Sequence, residues 1–326
     1  MQLFERMRVR EIPDDPVDRE RFEHRLHDGL LAAHETGWGL FGPTSVVWKV
    51  NRFASVNILA TSIGGHLDVA HPAVAWGVFE HSRIFTNPKE RFAQTYLLLS
   101  RVAFGTPEQV GRVSSSLYSR HSRIEGITKN AAGKYTEGSR YAANSVDGLL
   151  WVHLVYFWSR YLLYEATVES LTKTEWDRYV DESRRFGACF GLPDEGMPST
   201  LDELQVAVSR YISSGDLAMT PAGKEILEYI ATLIPRWARP IYYGFVDELL
   251  PTQLTALIDI SDRGLQRRGI RNGIRILLRA YNRFAPPSVR YVPAFNEANS
   301  RITHRPVGPI VRAFNRALCG RAEVLS

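Results

Sequence analysis

LLWVHLVYFWSRYLLY, residues 149–164, decides the fold. It is the longest apolar stretch in the chain, yet it contains His153, Ser159 and Arg160. It also falls short of the ~18–20 uninterrupted apolar residues of a membrane-spanning helix. It therefore reads as a helix buried in a protein core. The chain shows no strict alternation of apolar and polar residues over a long run, so little sheet is expected. The fold class that follows is all-α: a single globular helical domain.

Upstream, Asn144 or Ser145 is placed to cap this helix, because a short side-chain oxygen can accept from the unpaired N–H groups of a first helical turn. Before it, GITKNAAGKYTEGSR (126–140) is polar and glycine-containing and reads as a flexible loop. Thr106-Pro107 starts a helix expected to run to about Gly126, and Asn87-Pro88 starts one expected to reach Phe104, since proline suits a first helical position. Residues 55–81 read as two helices meeting near His66–His71. GWGLFGPTS (37–45) is turn-rich, with Ser45 capping the helix through Trp48. Downstream, helices are expected over 173–186, 201–213, 222–232, 247–260 and 263–284. These elements divide the chain into an N-terminal arm and first helix (1–36), a main helical domain (37–285) and a basic, poorly patterned tail (286–326). Pro13 and Pro16 break any helix in the arm.

The 326 residues suffice for a large core and a cofactor-sized pocket. Two cysteines, Cys189 and Cys319, are too few for a disulfide framework or a cysteine-rich metal site. The charged start lacks an apolar segment of the secretory kind, which predicts a cytoplasmic location. A net charge of +5 is mild and does not imply nucleic acid. Arg263, Arg267, Arg271, Arg275, Arg279 and Arg283 recur every four residues. On a helix they would form a slowly winding stripe, drifting ~40° per step. A solvated face explains such a stripe; an anionic partner would also suit it.

Five of nine histidines fall in residues 66–153: His66, His71, His81, His121 and His153. A histidine on an apolar helix is commonly a core residue bonded to a backbone carbonyl, and that reading holds for each of the five on position alone. There is no HExxH and no Cys/His pairing at zinc-finger spacing. No Glu-x-x-His occurs in the region, which disfavours a carboxylate-bridged di-iron site. No GxSxG elbow, Walker loop or GxGxxG is present, and no CxxCH for covalent haem. A site holding haem through a single imidazole stays open, because neutral histidine can bind iron through one ring nitrogen while the other is oriented by an acceptor. Arg91 and Thr95, one turn apart, share a helix face and could meet a propionate or a bound oxygen.

FGPTS (41–45) with Trp48, AHPAVAWGVFEHS (70–82), RFAQT (91–95), RVSSSLYSRHSRIEG (112–126) and YAANSVDGLLWVH (141–153) occur in this order. Together they resemble the MpaB / latex-clearing-protein oxygenase family over roughly residues 37–260. The resemblance implies a globin-related helical core with additional helices and a b-type haem. It implies His121 as the proximal iron ligand, Arg91 and Thr95 as the Arg-x-x-x-Thr pair lining the haem, and His153 as a second, haem-adjacent histidine. It assigns no role to His71 or His81. The chain departs from rubber-cleaving members at Gln94, where they carry a lysine able to ligate iron. It departs again in lacking an export signal, which argues against polyisoprene as substrate.

The function these readings predict is oxidation of a small lipophilic molecule by dioxygen, dependent on haem b. The alternatives are a non-catalytic haem- or lipophile-binding helical protein and, last, a nucleic-acid binder using the C-terminal arginines. Trp76, Phe79, Trp151, Phe157 and Trp158 are candidate liners of the pocket, although most aromatics at helical spacing are plain core.

Overall fold

The computed structural model describes residues 15–260 and 268–325. Its elements run α1 Arg19–Thr36, α2 Val46–Asn51, α3 Ala54–Asp68, α4 Pro72–His81, α5 Pro88–Phe104, α6 Pro107–His121, β1 Glu125–Ile127, β2 Arg140–Ala142, α7 Val146–Thr167, α8 Lys173–Ala188, α9 Leu201–Ser214, α10 Pro221–Leu233, α11 Arg239–Leu249, α12 Thr252–Leu257, α13 Arg268–Phe284, α14 Pro287–Arg290, α15 Pro293–Thr303 and α16 Pro309–Cys319. The fold is an all-α single domain with one two-stranded hairpin.

Helix α7 is the axis. Trp151, Leu154, Val155, Phe157, Leu163 and Tyr164 are fully buried along it, and even Ser159 and Arg160 are enclosed. Its closest neighbour is α3, with Ala60 and Ile63 buried and Gly64 beside Val155. The Trp151 indole donates to the Leu67 carbonyl at 3.0 Å, so this bulky ring is buried without an unpaired N–H. Arg160 donates to the Tyr156 carbonyl (2.9 Å) and to Asn57 (3.3 Å), with its guanidinium 3.4 Å from the Tyr156 ring centre. Among the described residues no helix is long and apolar enough to cross a membrane.

The capping signals produce the helix starts. Ser45, Asn87, Thr106 and Thr172 each accept from the backbone N–H three residues on. Ser145, not Asn144, caps α7. Asp18 starts α1, which packs on α6 and α8.

Three expectations change. The helix begun at Pro107 ends at His121 rather than near Gly126, because the chain turns there into β1. β1 pairs antiparallel with β2, Gly126 opposite Tyr141. A Cβ at 126 would lie 2.5 Å from the Tyr141 hydroxyl, so the glycine admits the ring. The helix expected over 247–260 is two, α11 and α12, divided at Pro251, whose ring cannot continue the first. The segment from Pro286, read as a basic tail, is helical and docked: Val292, Ala294, Ala298, Val311 and Val324 are buried, and α15 and α16 pack on α5. Pro287, Pro293 and Pro309 each open a short helix, and helices this brief hide their apolar period. Glu297 fastens the segment by accepting from the backbone N–H groups of Val324 (2.9 Å) and Leu325 (2.8 Å) and from Asn315 (2.6 Å). Of the arginine stripe, Arg263 and Arg267 lie outside the described residues. Arg271 and Arg275 reach Glu248 at 3.7 and 3.4 Å, and Arg279 donates to the Glu165 carbonyl.

Candidate active site

A cavity of about 640 Å³ opens between α3, α4, α5, α6 and α7. That volume is typical of pockets that hold small molecules and cofactors. Leu98, Leu99, Leu117, Ile124, Leu149 and Val152 give it apolar walls. His121, His153, Arg91 and Thr95 all line it, so the structure brings the four sequence-derived candidates to one place.

His121 is the last residue of α6, where the helix stops at the cavity wall. Burial, with Arg91 and Arg120 nearby, pushes its pKa down to about 4, against a hydrogen bond to Asn144 that favours the protonated ring. The ring is therefore neutral at physiological pH and keeps a lone pair for an electrophile. Arg91 donates to Ser82 (3.1 Å) and, through Nη1, to the Thr95 hydroxyl. Thr95 in turn donates to the Arg91 carbonyl (3.0 Å). Arg91 thus does not pair with Glu90, whose carboxylate takes Asn87 and Gln94 instead. Burial also lowers the Arg91 pKa, but a guanidinium stays charged. His153 projects from α7 with Nε2 3.3 Å from Ser183 Oγ, while its buried Nδ1 has no hydrogen-bond partner. Burial pushes its pKa down to about 3.

Asp68, at the end of α3, was not singled out by sequence. It lines the cavity with its buried Oδ1 unpartnered. Burial pushes its pKa up to about 8, against the pull of Arg91 and Arg160. An acid closing an apolar, glycine-rich helix was the available signal. Arg83, Arg120 and Arg160 also border the cavity. With Arg91 they outnumber Asp68 and Glu90, so the walls favour an anion.

The other histidines separate. His81 lines the cavity, 3.4 Å from the Tyr141 hydroxyl. His66 meets the Ser62 carbonyl at 2.7 Å. His71, fully enclosed, holds Asp147 at 2.8 Å. That Asp147 also receives Tyr211 (2.7 Å) and Lys134 (2.9 Å), which fastens the loop between β1 and β2 to the first turn of α7. None of Trp76, Phe79, Trp151, Phe157 and Trp158 lines the cavity; Tyr156, Phe186 and Phe190 do. The expected liners lie on the faces of their helices that fill the core instead.

Among the described residues no three His, Cys, Asp or Glu side chains gather as a metal site, so a bare multi-ligand metal centre has no donors here. The donor set suits a haem better: one neutral imidazole on the wall, guanidiniums for two carboxylates, and apolar sides.

Residues 48–286 match the family model described as "ER-bound oxygenase mpaB/B'/Rubber oxygenase, catalytic domain". No curated protein and no solved structure matches the chain.

Proposed function

The chain belongs to the mpaB/rubber oxygenase catalytic-domain family, and from that premise we propose that it is a haem-b-dependent oxygenase acting on a small lipophilic molecule, with His121 as the proximal iron ligand. The observation that carries the reading is the convergence of a neutral His121, Arg91 and Thr95 on one apolar-walled cavity. Haem b, when bound, would supply the redox-active iron for reaction with dioxygen.

The chain's own residues would do the rest. His121, unprotonated well below neutral pH, offers a lone pair without first losing a proton. Arg91 is held by Ser82 and Thr95, so its charge is oriented before a ligand arrives. It and Arg120 would take a propionate, since a guanidinium fork matches a carboxylate. Thr95, whose proton goes to the Arg91 carbonyl, serves mainly to fix that guanidinium. The aliphatic walls exclude water and favour a hydrocarbon substrate, at ~0.8 kcal/mol for each methylene buried. His153, neutral and lining the same cavity, would be a haem-adjacent group. Gln94 is held by Glu90 (3.0 Å) and Arg120 (3.5 Å) and stands outside the ligand set.

The test is optical. Purified protein given haemin should show a Soret band that Asp68→Asn keeps and His121→Ala loses. Full haem content in His121→Ala would remove His121 as ligand. A Soret band without oxidation of any compound on a lipid and terpenoid panel would favour the non-catalytic haem- or lipophile-binding reading.

A further inference from the structure

Residues 268–326 contain eleven arginines, no lysine and only two acids, Glu297 and Glu323. The whole chain carries +5, so this C-terminal segment holds +9 and the remainder a net negative charge. Glu297 is buried by the backbone groups it accepts from, which leaves the segment's surface almost purely cationic.

The same segment exposes large apolar side chains. On α13, Ile276, Leu277 and Phe284 are 67%, 71% and 79% exposed. At ~100° per residue these three fall on one side of the helix together with Ala280 and Gly273. Ile274 and Leu278 are turned the other way, against the core. Arg279 and Arg283, both exposed, border the Ile276 edge of that apolar side. The surface continues past α13: the Tyr281 hydroxyl donates to the Val289 carbonyl in α14, and α14 packs on α16. There Ile310 and Phe314, one turn apart, are 55% and 49% exposed, while Arg312 and Arg316 lie about 120–160° round the helix from them.

We propose that the exposed side of α13 docks on an anionic lipid bilayer, with Ile276, Leu277 and Phe284 entering the headgroup–acyl boundary and the bordering Arg279 and Arg283 meeting lipid phosphates. The inference is independent of haem or catalysis. Charge complementarity selects the occupant. A helix with arginines on one side and exposed aliphatic and aromatic residues on the other is built to lie in a membrane interface, where long cationic side chains reach up to the headgroups. A second copy of the chain would set arginine against arginine around a shared apolar centre. A nucleic acid would neutralise the arginines and leave the aliphatic side chains in water.

The experiment is vesicle co-sedimentation of the full chain. Vesicles of phosphatidylcholine with one third phosphatidylserine should bind it at least tenfold more tightly than phosphatidylcholine alone, and less tightly as salt rises. Ile276→Ser with Phe284→Ser should weaken anionic-vesicle binding about tenfold while circular dichroism is unchanged. Arg279→Gln with Arg283→Gln should weaken it by about fivefold per arginine and flatten the salt dependence. Leu31→Ser, exposed on α1, should change nothing. No binding to anionic vesicles at low salt overturns the proposal. So does binding that the serine pair leaves intact, which would mark a general polyanion surface. So does a dimer in solution that Phe284→Ser dissolves in the absence of lipid binding.

Discussion

Replacing Asp147 by alanine should destabilise the protein by about 3–5 kcal/mol. Its carboxylate is the shared acceptor of His71 (2.8 Å), Tyr211 (2.7 Å) and Lys134 (2.9 Å). His71 and Tyr211 are enclosed and would keep buried polar groups without an acceptor, which is why breaking a buried network costs more than the network's net worth. The Lys134 side chain is about one third exposed and can turn to water, so its share is discounted. At ~2 °C per kcal/mol for a chain of this size, Tm should fall by about 6–10 °C. Burial alone would push the Asp147 pKa up, but His71, Lys134 and Tyr211 hold it well below the usual carboxylate range. A depressed native pKa contributes stability that is complete above the unfolded value of ~3.9 and is lost as pH falls toward the native one. Urea unfolding followed by circular dichroism at pH 7 and pH 3 should therefore show a gap between wild type and variant that narrows in acid. Limited proteolysis should find new cuts between residues 128 and 139. A variant within ~1 kcal/mol of wild type at pH 7, or a gap that widens in acid, would refute the reasoning.

The raised pKa of Asp68, about 8, has the opposite sign: the native state holds its proton longer, so stability should fall as pH rises from 5 toward 8. At ~1.4 kcal/mol per pKa unit the effect is several kcal/mol, and Asp68→Asn should flatten the slope in urea titrations; an unchanged slope would exclude Asp68 as its source. The His121 ring should titrate near 4 in NMR of the haem-free protein, and a midpoint near 6.5 would contradict its burial among Arg91 and Arg120. Trp151→Ala should cost about 3–5 kcal/mol by emptying the α3–α7 contact, while the Leu67 carbonyl keeps the Ala70 N–H at 3.1 Å, as thermal unfolding would show.

Much of the molecule is legible in local chemistry. Ser45, Asn87 and Thr106 announce their helices because capping is satisfied within three residues. Pro88 and Pro107 sit at first helical positions for a similarly local reason. The hairpin is not legible: β1 and β2 are three residues each, too short for alternation to register, and Gly126 acquires meaning only opposite Tyr141. The cavity's aromatic lining is misread for a further reason. Period places Trp151, Phe157 and Trp158 on a helix without saying which side meets the core, and α7 is apolar nearly all round. Asp68 escapes notice because the burial that raises its pKa is supplied by elements distant from it in the chain. The family resemblance picked His121 and His153 out of several histidines, together with Arg91 and Thr95, and all four line one cavity.

The cavity is walled by side chains drawn from positions 60 to 192, and the exposed cationic, apolar side of α13 from positions 276 to 284. The two share no residue. What the pocket accepts and where the protein resides can therefore drift apart over generations: substitutions that reshape one leave the other's amino acids untouched. A descendant could keep its chemistry while changing its address in the cell, or retain the address and adopt a new substrate.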